Sequence, residues 1–239
     1  MAYEPGNGAP SNVHAFLLDA GGVFIVPNPA VVAPALSGSV TINLEGYDDR
    51  PHYVATAGLD ALIAIGADWG SARSGYLGHL CAALGVPEER LDASVHALRR
   101  EPDLWSRIVS ESVEGLHALI DEGYPVAVVS NSDGRVERQL RDGGVCQVGP
   151  GPLASVAAVL DSTIVGTSKP DARIFRLGAA AVEREPSSCV FVGDTVHYDI
   201  AGAWGAGMWP VHFDPYRTCP HRRAHDHVQS LGDLASVWR

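Results

Sequence analysis

Six residues of this 239-residue chain have side chains suited to phosphoryl transfer: Asp19, Ser130, Asn131, Lys169, Asp194 and Asp199. Asp19 ends the apolar run Phe16-Leu17-Leu18 and is followed at once by Ala20 and a glycine pair, Gly21-Gly22. A carboxylate so placed can act as a nucleophile, as in enzymes that form an aspartyl-phosphate. Alone, it also fits a helix N-cap or a strand-end loop. The other five residues bear on that choice. Asp19 and Asp194 can hold Mg²⁺, a hard cation that takes oxygen ligands. Ser130, Asn131 and Lys169 can hold phosphoryl oxygens, and the Lys169 ammonium offsets the repulsion between a carboxylate and a phosphate dianion.

These residues need a scaffold that brings them together. Val13 to Leu18 reads as a short buried strand, and Asp19 lies at its carboxyl end. Further apolar strands are expected at Pro125–Val129, Val156–Leu160, Cys189–Val192 and Met208–Phe213, alternating with helices. Ser130-Asn131 and Gly193-Asp194 follow two of these strands, and Lys169-Pro170-Asp171 opens a helix. Repeated βα units call for a doubly wound, Rossmann-like α/β fold: a parallel sheet covered by helices on both faces. The strand ends then share one edge, where such folds bind ligands.

Between the first strand and the rest, the pattern changes. Pro27, Pro29 and Pro34 argue against a long regular element there, and Val40–Leu44 reads as a further short strand. From about Arg50 to Val109 the apolar spacing is helical, with stripes at Tyr76, Leu80, Leu84 and at Leu91, Val95, Leu98, and no strand-like run interrupts it. The expected organisation is a flexible tail at 1–12, an α/β core at 13–26 and 110–239, and a helical cap at 27–109. Such a cap would act as a lid.

Composition narrows the function. A formal charge of −11 argues against a nucleic-acid or anionic-membrane surface, which needs a basic footprint. No apolar run reaches the roughly 18 residues of a membrane span. The four cysteines show no paired spacing, which fits reduced thiols in the cytoplasm. The oligomeric state is not legible.

In its four motifs, taken in order, the chain resembles the haloacid dehalogenase (HAD) superfamily, in the subgroup whose helical cap follows the first strand. The motifs are Asp19-Ala20-Gly21-Gly22-Val23, Val129-Ser130-Asn131, Lys169-Pro170-Asp171, and Val192-Gly193-Asp194-Thr195 with Asp199 beyond. The resemblance implies a Mg²⁺-dependent phosphohydrolase acting on a small phosphorylated metabolite. It makes Asp19 the covalent nucleophile and Lys169 the charge-stabilising lysine. Ser130, Asn131 and Gly22 become phosphate-binding positions. Asp19, the Gly21 carbonyl, Asp194 and Asp199 become the metal site.

One position departs from the family pattern. Family phosphatases carry a second aspartate two residues after the nucleophile as general acid and base, and this chain has Gly21. Losing a positioned acid costs about 10²–10⁴-fold in rate. Another group could supply the proton, with His52, Tyr53 and His197 the candidates. Alternatively, the leaving group departs unaided, as from an acyl phosphate, or the protein binds without turning over. The dehalogenase and phosphonate-cleaving branches also lack that aspartate, but dehalogenation needs no metal. Phosphatase therefore ranks first, those branches second and a non-catalytic binder third.

Cys219, His221, His225 and His227 crowd one C-terminal stretch and could bind Zn²⁺. Their spacing matches no standard structural site, and Pro220 with its neighbouring arginines suggests an exposed turn.

Overall fold

A computed structural model describes residues 10–235 and 237, apart from 69, 72, 222 and 223, so most of the expected tail at 1–12 lies outside the described residues. The chain forms two compact units. One comprises Met1–Phe24 and Ile108–Arg239, and the other is the intervening Ile25–Arg107.

The first unit is built on a six-stranded parallel sheet. In chain order its strands are β1 (Ala15–Leu18), β2 (Val126–Ser130), β3 (Ala158–Asp161), β4 (Cys189–Gly193), β5 (Trp209–Phe213) and β6 (Asp226–Val228). Their order in space is β6-β5-β4-β1-β2-β3. Central strands buried on both faces read as continuous apolar runs, as β1, β2 and β4 do. On one face Leu17, Val129 and Phe191 pack with Ile174 and Phe175 of the helix Ala172–Ala181 and with Ala203 and Ala206 of the helix Ala201–Ala206. On the other, Phe16 meets Tyr124 edge-on at 5.0 Å, just past the helix Ser110–Asp121.

One expected strand is divided. Ala154–Val156 pairs with Cys146–Val148 in a small separate sheet, and β3 begins only at Ala158. The switch of partner occurs at Ala157, whose N–H donates to the Val126 carbonyl at 2.8 Å.

The second unit holds the helices Pro29–Ala35, Arg50–Ala64, Tyr76–Ala83 and Leu91–Leu98 around a core that includes Val32, Ala55, Leu80, Val95 and Leu98. The proline-rich segment holds no long element, only a seven-residue helix that the Asn28 side chain caps by accepting from the Ala30 N–H at 2.9 Å. Pro29 falls in its first turn, where the missing N–H costs nothing. Val40–Leu44 is not a strand; Val40 and Ile42 pack against the helical core instead. Conversely, Trp105–Ile108 is a strand, paired with Ile25–Pro27. At four residues its alternation is too short to register as a period. Among the described residues, no helix is long and apolar enough to cross a membrane.

Candidate active site

In the first unit the chain runs from β1 to β2 and β3 on one side, then returns to build β4, β5 and β6 on the other. The topological switch point therefore lies between β1 and β4, beyond whose carboxyl ends doubly wound sheets bind ligands. Asp19 directly follows β1, and Asp194 directly follows β4.

Three buried carboxylates, Asp19, Asp194 and Asp199, bring oxygens within 4.8 Å of one another. Lys169 completes the group. Its Nζ lies 2.6 Å from Asp19 Oδ2 and 2.7 Å from Asp199 Oδ1, and the residue is 3% exposed. Asp199 is committed on both sides: Oδ1 accepts from Lys169, while Oδ2 accepts from the Thr195 N–H at 3.0 Å and its hydroxyl at 2.6 Å. Asp19 Oδ1 accepts from the Ala20 N–H at 2.7 Å.

Two glycines permit this crowding. At Gly22 the backbone adopts φ +70°, and an added Cβ would lie 2.1 Å from the Asp194 carboxyl carbon. At Gly193 a Cβ would lie 2.4 Å from that of Asp199. Each glycine leaves room for a carboxylate rather than merely allowing a turn.

The charges do not balance. Fully ionised, three carboxylates against one ammonium leave a net of two negative charges in a buried site. Burial, with Asp199 and Asp194 nearby, pushes Asp19 up to about 7 despite the opposing pull of Lys169. Burial alone would lower the Lys169 ammonium, but Asp19 and Asp199 outweigh it and hold the lysine above its ordinary value. The lysine stays charged, while a proton competes for the nucleophile. The donors are all hard oxygens and the charge excess is two, so the residues fit a divalent cation such as Mg²⁺.

Ser130 is buried at the end of β2. Asn131 is exposed, and its amide grips the Lys169 backbone: Nδ2 donates to the Lys169 carbonyl at 2.9 Å, and Oδ1 accepts the Lys169 N–H at 2.8 Å. Asp171 caps the following helix by accepting from the Arg173 N–H at 2.9 Å. His197 is half-buried on the turn Val196–Ile200 that carries Asp199, with its ring edge-on to Tyr198.

His52 and Tyr53 belong to the second unit and are buried there. His52 Nδ1 lies 2.7 Å from the Tyr76 hydroxyl, and its ring packs edge-on against Tyr53, Tyr76 and Trp105. These contacts make it part of an internal aromatic cluster.

Pro220 and His221 form the exposed turn the sequence suggests, but a second cluster gathers around the residues that flank it. Cys219 is 3% exposed, and it meets His225 and His227, together with His212 from β5. His221 is exposed and not in the group. His212 escapes a sequence reading because it lies inside a strand, apart from the other three. Burial lowers the imidazole of His212, and burial with the neighbouring His212, His227 and His221 pushes His225 down to about 3.

The family model of haloacid dehalogenase-like hydrolases matches residues 13–207. Ribulose-1,5-bisphosphate 5-phosphatase of Halopiger xanaduensis is 28% identical over 141 residues, which are 54% of this chain and 56% of that protein. The mouse haloacid dehalogenase-like hydrolase domain-containing protein 3 is 32% identical over 134 residues, 54% of this chain and 50% of that one. The matches thus span about half the length of these curated relatives. Among solved structures, the magnesium-bound HAD-hydrolase YfnB of Bacillus subtilis aligns over 95% of this chain and 99% of its own, with TM-score 0.61 and 15% identity. The shared order of motifs, the sheet that places them and the family match lead to one statement: the chain belongs to the haloacid dehalogenase-like hydrolases.

Proposed function

We propose that this chain is a phosphohydrolase that transfers the phosphoryl group of a small metabolite to Asp19 and then to water, with Mg²⁺ as its cofactor. One observation carries the reading: the buried carboxylates Asp19, Asp194 and Asp199 converge to within 4.8 Å, an excess of hard oxygen donors over the single Lys169 ammonium. A dehalogenase, which needs no metal, gains nothing from that excess. The phosphatase relative from Halopiger xanaduensis supports the same reading.

Asp19, Asp194 and the Gly21 carbonyl would hold the cation, which when bound neutralises charge on the phosphoryl oxygens. Asp199, with both oxygens committed, holds Lys169 and the Thr195 turn in place. In the first step an Asp19 carboxylate oxygen attacks phosphorus, and the bond from phosphorus to the leaving oxygen breaks. Lys169 and Ser130 stabilise the charge spreading over the phosphoryl oxygens. In the second step water attacks phosphorus, releasing inorganic phosphate and restoring Asp19. Asn131 acts by fixing the backbone of Lys169. Ile25–Arg107 serves as the cap that selects substrates.

With Gly21 in place of an acid, the first step favours leaving groups that need no proton. Acyl phosphates and anhydrides are therefore the favoured class, ahead of sugar phosphates. A release assay with acetyl phosphate, p-nitrophenyl phosphate and sugar phosphates tests this. Release is expected with Mg²⁺, and it should stop on chelation and be fastest for acetyl phosphate. Halide release from 2-halo acids that ignores chelator would instead support the dehalogenase reading.

A further inference from the structure

The structure assigns a second metal site, separate from the carboxylate centre: a closed Zn²⁺ site formed by His212, Cys219, His225 and His227. The four residues offer ligand atoms within 4.8 Å of one another. Their placement follows from the sheet. His227 of β6 is the register partner of His212 of β5, so the two imidazoles stand side by side on adjacent parallel strands, 4.9 Å apart. His225 precedes His227 by two residues, the spacing that returns a side chain to the same face, and their rings stack at 4.4 Å. Cys219 reaches the group from the connecting loop. That loop is braced by the buried Asp214 carboxylate, which accepts from the Thr218 N–H and hydroxyl and from the Cys219 N–H, at 2.7, 3.1 and 3.2 Å.

Two of the three imidazoles have the polarity that a metal requires, and the third, His225, would give up its Nε2 hydrogen in favour of the ion. His212 Nε2 donates to the Asp194 carbonyl at 3.0 Å, which makes Nδ1 the lone-pair atom of that ring. His227 Nδ1 donates to the His225 carbonyl at 2.9 Å, which makes its Nε2 the lone-pair atom. Backbone carbonyls that fix the tautomer of a ligating imidazole are the usual outer support of a protein metal site. His212 Nδ1 lies 3.0 Å from His225 Nε2, and Cys219 Sγ lies 3.8 Å from the same nitrogen. Tetrahedral Zn²⁺ with ordinary bond lengths sets its N and S ligands about 3.3–3.6 Å apart, between these two separations. Four N and S donors with no carboxylate among them suit a structural Zn²⁺ rather than Mg²⁺. Such an ion would tie the stretch from Asp214 to Val228 onto the edge of the sheet.

The test is metal content and spectroscopy of the full chain, made without a histidine tag and kept in Mg²⁺-containing buffer. Elemental analysis should find one zinc per chain in the wild type and in Asp194→Asn, and background zinc in Cys219→Ser and His227→Gln. Replacing zinc with Co²⁺ should give the visible bands of a tetrahedral ion and a thiolate charge-transfer band. Cys219→Ser should remove that charge-transfer band. This spectrum is read on folded wild type, so the test does not depend on how well the variants fold. Absence of zinc together with no tetrahedral Co²⁺ spectrum overturns the assignment. So does zinc that survives Cys219→Ser but disappears in Asp194→Asn, since the ion would then belong to the carboxylate centre.

Discussion

Two clusters on one sheet edge differ in every chemical respect. The Asp19, Asp194 and Asp199 group offers hard oxygens, carries excess negative charge and includes a lysine that competes for its carboxylates. The His212, Cys219, His225 and His227 group offers nitrogen and sulfur, with the His212 and His227 rings fixed by backbone carbonyls. In the first, burial with Asp199 and Asp194 nearby pushes Asp19 up to about 7, so the group gains from a cation or proton that enters. In the second, burial and the neighbouring imidazoles push His225 down to about 3. They touch where His212 donates to the Asp194 carbonyl. Donor type and charge thus separate the two clusters better than the count of metal-binding side chains does.

The largest expected effect comes from removing the nucleophile. Asp19→Asn should lower phosphate release by at least about 10⁴-fold, as for loss of other covalent nucleophiles. It should also raise the melting temperature of cation-free protein at pH 8, because the buried negative charge is relieved. Steady-state kinetics and calorimetry check the two halves. Gly22→Ala is next. Its Cβ would meet the Asp194 carboxylate at 2.1 Å, on backbone of positive φ. A displacement of that order costs about 10²-fold in turnover. Gly205→Ala, in a position open to solvent, is the matched control.

How far these residues were legible follows from where they lie. Asp19, Ser130 and Asp194 each end a buried strand, so an apolar run points to them. Lys169 stands out because Pro170 and the capping Asp171 mark a helix start. The zinc-type cluster is only partly marked, by the crowding of Cys219, His225 and His227 in one stretch. His212 looks like one polar residue within a strand, and β6 is only three residues long, too short to show a period. The register of His212 with His227 exists only once the sheet is formed. The same limit hid the strand Trp105–Ile108, whose pairing partner lies far away in sequence. The role of Asn131 was also hidden, since hydrogen bonds to a distant backbone leave no pattern.

Smaller effects sharpen the contrast. A proton competes with the cation for Asp19, which titrates at about 7 in the cation-free site. Mg²⁺ affinity measured by titration calorimetry should therefore be flat above pH 7 and fall about tenfold per pH unit below it. Without cation, the folded protein holds a proton on Asp19 that the unfolded chain has released. The stability contribution of this group thus falls as pH rises from 3.8 to about 7 and is constant above. The smallest effect tests the point of contact. His212→Phe removes the donor to the Asp194 carbonyl together with a ligand of the proposed zinc site, and should weaken Mg²⁺ binding by roughly tenfold, the low end for an outer-shell partner. An unchanged affinity would show the two clusters to be independent.

The most direct test of the phosphoryl-transfer account is to trap the intermediate. Wild-type protein turning over acetyl phosphate with Mg²⁺ is quenched in acid, its intact mass is measured, and the modified peptide is mapped. The account predicts a phosphoryl adduct on Asp19, absent with chelator and absent in Asp19→Asn. Phosphate release that continues undiminished in Asp19→Asn, with no adduct on the wild type, would contradict it.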